Sequence, residues 1–105
     1  MNAILAGTHE ATYDERMRSA RAWLLARAEQ LRERLSRVDE IEQDEEVRRG
    51  IAKSARAEMT HIDHALARLD EGSYALCERC GKEIDPARLA AVPYAAVCRH
   101  CAAEG

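Results

Sequence analysis

Four cysteines sit near the C-terminal end of this 105-residue chain as two matched pairs, Cys77-x-x-Cys80 and Cys98-x-x-Cys101, with 17 residues between the pairs and no other cysteine elsewhere. Two residues between the members of a pair let both sulfurs turn toward one point. Two such pairs offer four soft ligands in tetrahedral directions, the set a structural Zn2+ prefers. A shell closed by four thiolates leaves no position for water, so the expected metal is structural rather than catalytic. Two other uses of such pairs compete with zinc. A pair of disulfides suits a small secreted scaffold, but the N-terminal run Ala3-Ile4-Leu5-Ala6 lacks a basic flank and is too short for a signal-peptide core. A thiol redox pair belongs at a strand-to-helix junction of a βαβ unit, and the chain has no such pattern. His100, between Cys98 and Cys101, could replace a neighbour as ligand, yet the complete cysteine set leaves it a solvated or supporting place.

A chain of this length is about one domain. Only four residues are aromatic, one Trp and three Tyr, which is thin for a thick globular core. A third of the residues are charged, both prolines fall in the last twenty residues, and Gly50 is the one glycine between Thr8 and Glu71. That composition, rich in Ala, Leu, Arg and Glu, points to long helices with narrow apolar seams. The formal net charge is −3. Four thiolates remove four charges and one Zn2+ returns two, so the metal-loaded chain carries −5. An acidic chain is a poor candidate for DNA binding through phosphate neutralisation, and no direct sequence-specific contact with nucleic acid is expected. No apolar stretch is long enough to span a membrane, so a soluble, cytoplasmic protein is expected.

Residues 1–11 show no periodicity and read as a tail. From Thr12 or Asp14 onward, Met17, Leu24, Ala28, Leu31, Leu35 and Val38 recur at spacings of 3, 4 or 7, one stripe of a helix. Asp14 and Glu15 suit its positive N-terminal end. Trp23 and Leu25 lie beside the stripe and should widen it toward the C-terminal unit or the tail. A second stripe runs Val47, Ile51, Ala55, Met59, Ile62, Leu66 and Leu69, and Gly72 stands where a helix C-cap wants glycine. Neither stripe can be buried alone. The fold class expected is therefore mainly α: an antiparallel coiled-coil hairpin over 12–72, with its tip at about 39–46, followed by a small C4 finger over 73–105. Each helix of about 26 residues would run roughly 40 Å. One continuous helix through the tip, pairing with a second chain, is the alternative, since neither Pro nor Gly forces a turn there. A monomer is expected for the hairpin and a dimer through the helices for the alternative.

Ala65-Leu66-Ala67-Arg68-Leu69-Asp70-Glu71-Gly72-Ser73-Tyr74, then Cys77-Glu78-Arg79-Cys80-Gly81-Lys82-Glu83-Ile84, then Arg88-Leu89, Ala91 and Pro93, then Cys98-x-x-Cys101, together resemble the DksA/TraR C4-type zinc-finger proteins over about residues 58–101. The resemblance implies a bacterial transcription regulator. Its hairpin would enter the secondary channel of RNA polymerase and change initiation without reading promoter sequence, often together with ppGpp. The finger would support the base of the hairpin. Gly81 fits the left-handed turn of a metal knuckle. Arg79, Lys82 and Arg99 place positive charge near a ZnS4 centre that is formally −2. Asp85-Pro86 reads as an N-cap and first-turn proline, opening a short helix from which Leu89 and Val92 should pack on the hairpin base.

Many members of the family carry Asp-x-x-Asp-x-Ala at the tip. This chain instead has Asp39, Glu40, Glu42, Asp44, Glu45 and Glu46, so the acidic character is kept and the arrangement is not. Asp39, Glu42 and Asp44 are the candidate partner-binding residues, and a merely solvated acidic turn is the alternative. His61 and His64 lie one turn apart without a third ligand and read as part of a solvated face. No nucleophile–base pair, phosphate loop or catalytic His motif is present, so no enzyme is expected. Two functions remain: a polymerase-directed regulator, or a zinc-stabilised interaction module of the same fold with another partner or with itself.

Overall fold

A computed structural model describes residues 11–105; all of the expected tail except Ala11 lies outside them. Two long helices, α1 (Tyr13–Ile41) and α2 (Glu45–Glu71), run antiparallel, and two short ones, α3 (Pro86–Ala91) and α4 (Arg99–Glu104), belong to the C-terminal unit. The start of α1 is set by a capping box. Thr12 Oγ1 accepts from the Glu15 backbone N–H at 3.1 Å and Glu15 Oε1 accepts from that of Thr12 at 2.8 Å, so two of the donors that a helix start leaves open are satisfied reciprocally. α2 ends at Gly72, whose φ of 82° is the left-handed cap that a side chain resists.

The two stripes meet. Leu24, Ala28, Leu31 and Val38 from α1 and Ala55, Ile62 and Ala65 from α2 are buried, with Met17, Leu35, Met59, Leu66 and Leu69 partly covered around them. The expected hairpin is therefore the fold, and the continuous helix is not formed: the chain leaves helical geometry at 42–44. The turn is shorter than expected. Residues 39–41 finish α1, while Asp44 caps α2 by accepting from the backbone N–H groups of Glu46 and Val47 at 2.9 and 3.1 Å. Acidic residues at 44–46 complement the positive end of a helix, which lets α2 begin at once after the reversal.

Three side chains depart from expectation. Leu25 is 52% exposed and widens nothing, because position 25 falls on the outer side of α1. Val92 is 39% exposed; the last residue before the Pro93 loop, it sits at the rim of the contact that Leu89 fills. Val47, at the first turn of α2, is likewise exposed.

Charge is sorted along the arm. Residues 16–38 and 47–70 hold 12 Lys and Arg against 5 Asp and Glu, whereas 39–46 holds 6 acids and no base. The described residues extend 54 × 37 × 25 Å, so a basic shaft carries an acidic end.

Candidate metal centre and hairpin tip

The two cysteine pairs arrive by different routes. Cys77 opens a tight knuckle: its carbonyl accepts from the Gly81 N–H at 2.9 Å, its own N–H donates to the Lys82 carbonyl at 2.8 Å, and Gly81 takes a φ of 79°. An antiparallel bridge between Leu76 and Glu83 closes the base of the knuckle. Cys98 is the N-cap of α4, and its sulfur accepts from the Cys101 N–H at 3.4 Å. One sulfur thus sits at a helix start while the next, Cys101, lies within the first turn.

The four sulfurs all lie within 4.8 Å of one another, and none is in a disulfide. Cys80 and Cys98 sulfurs are 3.8 Å apart. Ligands at about 2.3 Å from a tetrahedral Zn2+ are separated by roughly 3.8 Å along each edge, so the cradle matches the ion in size as well as in donor type. The four cysteines are positioned to hold one structural Zn2+, which four thiolates would enclose without room for water. His100 stays out of it; the ring is exposed and pairs with Glu104 at 3.2 Å, one turn along α4.

The thiols differ in their readiness to ionise. Burial pushes Cys77 up, but backbone hydrogen bonds from Cys98, Cys80 and Arg79 outweigh it and hold the group down at about 6. The Cys101 N–H likewise lowers Cys98. Burial, followed by the neighbouring sulfurs, pushes Cys101 up to about 12. Four sulfurs this close cannot all carry charge without a cation among them, so the ion must displace the most tightly held proton as it enters. Arg79 assists from outside, its guanidinium donating to the Cys101 carbonyl at 3.2 Å. Lys82 and Arg99 are exposed.

Between the metal centre and the arm lies a joint that sequence reasoning missed. Arg68 of α2 is 3% exposed. Its guanidinium donates to the carbonyls of Ala95 at 3.3 Å and Ser73 at 3.0 Å and also to that of Leu76, and it lies 3.5 Å from the Glu78 carboxylate. A buried cation is tolerated only with such a full set of acceptors. Beside it, His64 pairs with the same Glu78, and His61 stacks on Tyr94 with centroids 5.5 Å apart and planes 10° apart. Tyr94 also meets Trp23 of α1 at 6.5 Å, so Trp23 does reach the C-terminal unit as expected. The buried Tyr74 donates its hydroxyl to the Pro93 carbonyl at 2.6 Å. His61 and His64 are exposed, as a solvated face requires, and each also meets a residue of the finger, a contact that their one-turn spacing does not signal.

At the other end, the three candidate carboxylates are all engaged within the turn. Asp39 lies 3.4 Å from Arg48 Nε, Glu42 Oε2 accepts from the Asp44 N–H at 3.2 Å, and Asp44 caps α2. All six acids of 39–46 share one end of the hairpin, 30 or more residues before the first metal ligand in sequence.

Residues 72–104 match the family described as the prokaryotic dksA/traR C4-type zinc finger. An uncharacterized protein of Aquifex aeolicus (strain VF5) is 36% identical over 67 residues, which is 64% of this chain and 46% of that protein, so the chain matches less than half of that relative's length. In three dimensions the chain is similar to transcription factor DksA2 from Pseudomonas aeruginosa, with a TM-score of 0.73 and 21% identity over 95% of this chain and 92% of the other. At that identity the likeness concerns the fold, a helical hairpin on a small C-terminal unit. The finger is thus matched in sequence by the DksA/TraR C4-type zinc-finger family, and the whole chain is matched in shape by a helical hairpin on such a unit.

Proposed function

We propose that the chain is a DksA/TraR-type transcription regulator that binds RNA polymerase, inserts the hairpin into the secondary channel and modulates initiation without reading DNA sequence. In this reading the arm, 12–72, is the working part, and the finger, 73–105, is its support. One observation carries it: the metal centre and the acidic tip lie at opposite ends of one hairpin, with Arg68, His61 and His64 fastening the shaft to the finger. A four-thiolate zinc has no chemistry to offer a substrate, whereas a slim helical pair ending in carboxylates suits a narrow channel that leads to bound Mg2+, a hard cation that takes oxygen ligands. Asp39, Glu42 and Asp44 are the proposed tip residues, and ppGpp would act as a co-regulator of the complex rather than as a ligand of the chain alone.

The test uses purified core polymerase. The protein should compete with a Gre-type channel factor and change open-complex lifetime, and the triple variant D39N/E42Q/D44N should keep zinc and helicity but lose the effect. A wild-type protein that neither competes nor changes the lifetime would leave a zinc-stabilised interaction module with a different partner.

A further inference from the structure

α1 reaches the reversal with no basic residue in its last turn. Its final carbonyls, the negative end of the helix, thus open into an acidic run, an arrangement that is unfavourable unless a cation is brought in. Arg48 brings it from the other helix. One of its nitrogens, NH1, donates to the carbonyls of Glu42 at 3.1 Å and Gln43 at 3.0 Å, while Nε lies 3.4 Å from the Asp39 carboxylate. Its neighbour Arg49 does something ordinary, pairing with Glu45 one turn back along α2 at 3.1 Å. An exposed ion pair alone fixes little, and Asp39 is largely exposed. The two carbonyls change that, because a planar fork that grips consecutive backbone oxygens and a carboxylate on the preceding helix sets three points at once. Arg48 is only partly exposed, and no other base lies within 39–47.

We propose that Arg48 is a positioning residue for the tip: it holds the 42–43 reversal and the Asp39 carboxylate in the arrangement that acts on the partner, without itself supplying binding affinity. This rests on the polymerase reading for what the tip acts upon, but the hold on the turn belongs to the free protein. Arg48→Gln removes the fork and keeps helix propensity, while Arg48→Lys keeps the charge without the fork.

Two measurements test it. In the free, zinc-loaded protein, amide exchange at Glu42 and Asp44 should speed up by about tenfold or more in Arg48→Gln, with amides around Leu24 and Ile62 unchanged. Arg48→Lys should recover only part of the protection. Unchanged exchange at the turn would overturn the proposal. On polymerase, Arg48→Gln should compete with a Gre-type factor within about threefold of wild type, yet lose most of the effect on open-complex lifetime at saturation. A variant that matches wild type at saturation, or that loses binding and effect in equal proportion, would overturn it as well. Should wild type itself be inert on polymerase, the polymerase reading fails, and exchange at the turn alone decides the role of Arg48.

Discussion

Arg68 is the residue whose loss should be felt most. Replacing it with Met removes one cation, takes a donor from the Ala95, Ser73 and Leu76 carbonyls, and leaves the Glu78 carboxylate to His64. Buried groups left unpaired cost about 1–3 kcal/mol each at most sites, and partial access of water at Ser73 and Leu76 limits the sum. We expect a loss of about 2–4 kcal/mol for Arg68→Met in the zinc-loaded protein, read by denaturant unfolding. Arg68→Lys should recover little, since one ammonium cannot span acceptors that a guanidinium reaches together. The thiols give a second residue-scale prediction. In the folded finger burial pushes Cys101 up to about 12, so its proton is the one most firmly held against the entering ion, while hydrogen bonds hold Cys77 at about 6. Zinc binding at pH 7.5 should therefore release protons, Cys101's among them, and the affinity should weaken as pH falls because protons compete for the same sulfurs. Calorimetry in buffers of different ionisation enthalpy measures the release. The four cysteines were legible at once, since ligand type and spacing are properties of the chain itself. Arg68 was not: its acceptors at Ser73, Leu76 and Ala95 become neighbours only once the knuckle has folded, and an arginine inside a helical run reads as surface.

Each helix was legible as a stripe because burial on one side imposes a period of 3.6 residues. The turn between them was harder to read. A run of acids resembles a loop, yet Asp44 spends its carboxylate on a cap and 39–41 remain helical. Across the shaft, Arg27 grips Glu58 with two bonds, Nε to Oε2 at 2.7 Å and NH2 to Oε1 at 3.0 Å. The hydrogen bond from Arg27 is the main cause holding the Glu58 carboxyl below its ordinary value, against the opposing effect of burial. A depressed carboxyl contributes stability that is present above its unfolded value, about 4.3, and is lost as pH falls through the folded one. Glu58→Gln should thus cost about 0.5–1 kcal/mol at neutral pH. It should cost less as the acid limb is descended, in thermal melts run from pH 7 to pH 3. A penalty independent of pH would mean that packing, not the ion pair, is what Glu58 contributes.

At the scale of the molecule, two kinds of cohesion are joined end to end. The hairpin is held by its own seam, in which Leu24 and Ile62 are completely buried. The finger has few large apolar side chains, with Tyr74, Ile84 and Leu89 as its main buried ones, and small units of that kind are organised by their metal. Cys98→Ser, or chelation, should release the ion and loosen residues 74–101 while the far half of the hairpin stays helical. Helicity should then fall by a minority of its value in circular dichroism, and exchange protection should be lost first around Arg68 and His64, whose finger partners have moved. Complete unfolding on chelation would show that the seam cannot stand alone.

The sorting of charge along the arm has a consequence for how the molecule travels. A rod with positive flanks and a negative end is an electric dipole, and a dipole turns in a field before it touches anything. Near a duplex, the acidic end is pushed away and the flanks are drawn in, so the rod meets it broadside. Near a cavity that holds divalent cations, the same torque swings the end inward. At physiological salt the field fades over about 8 Å, so this choice of heading is made in the last few water layers, where a narrow entrance most needs an incoming rod to be already aligned.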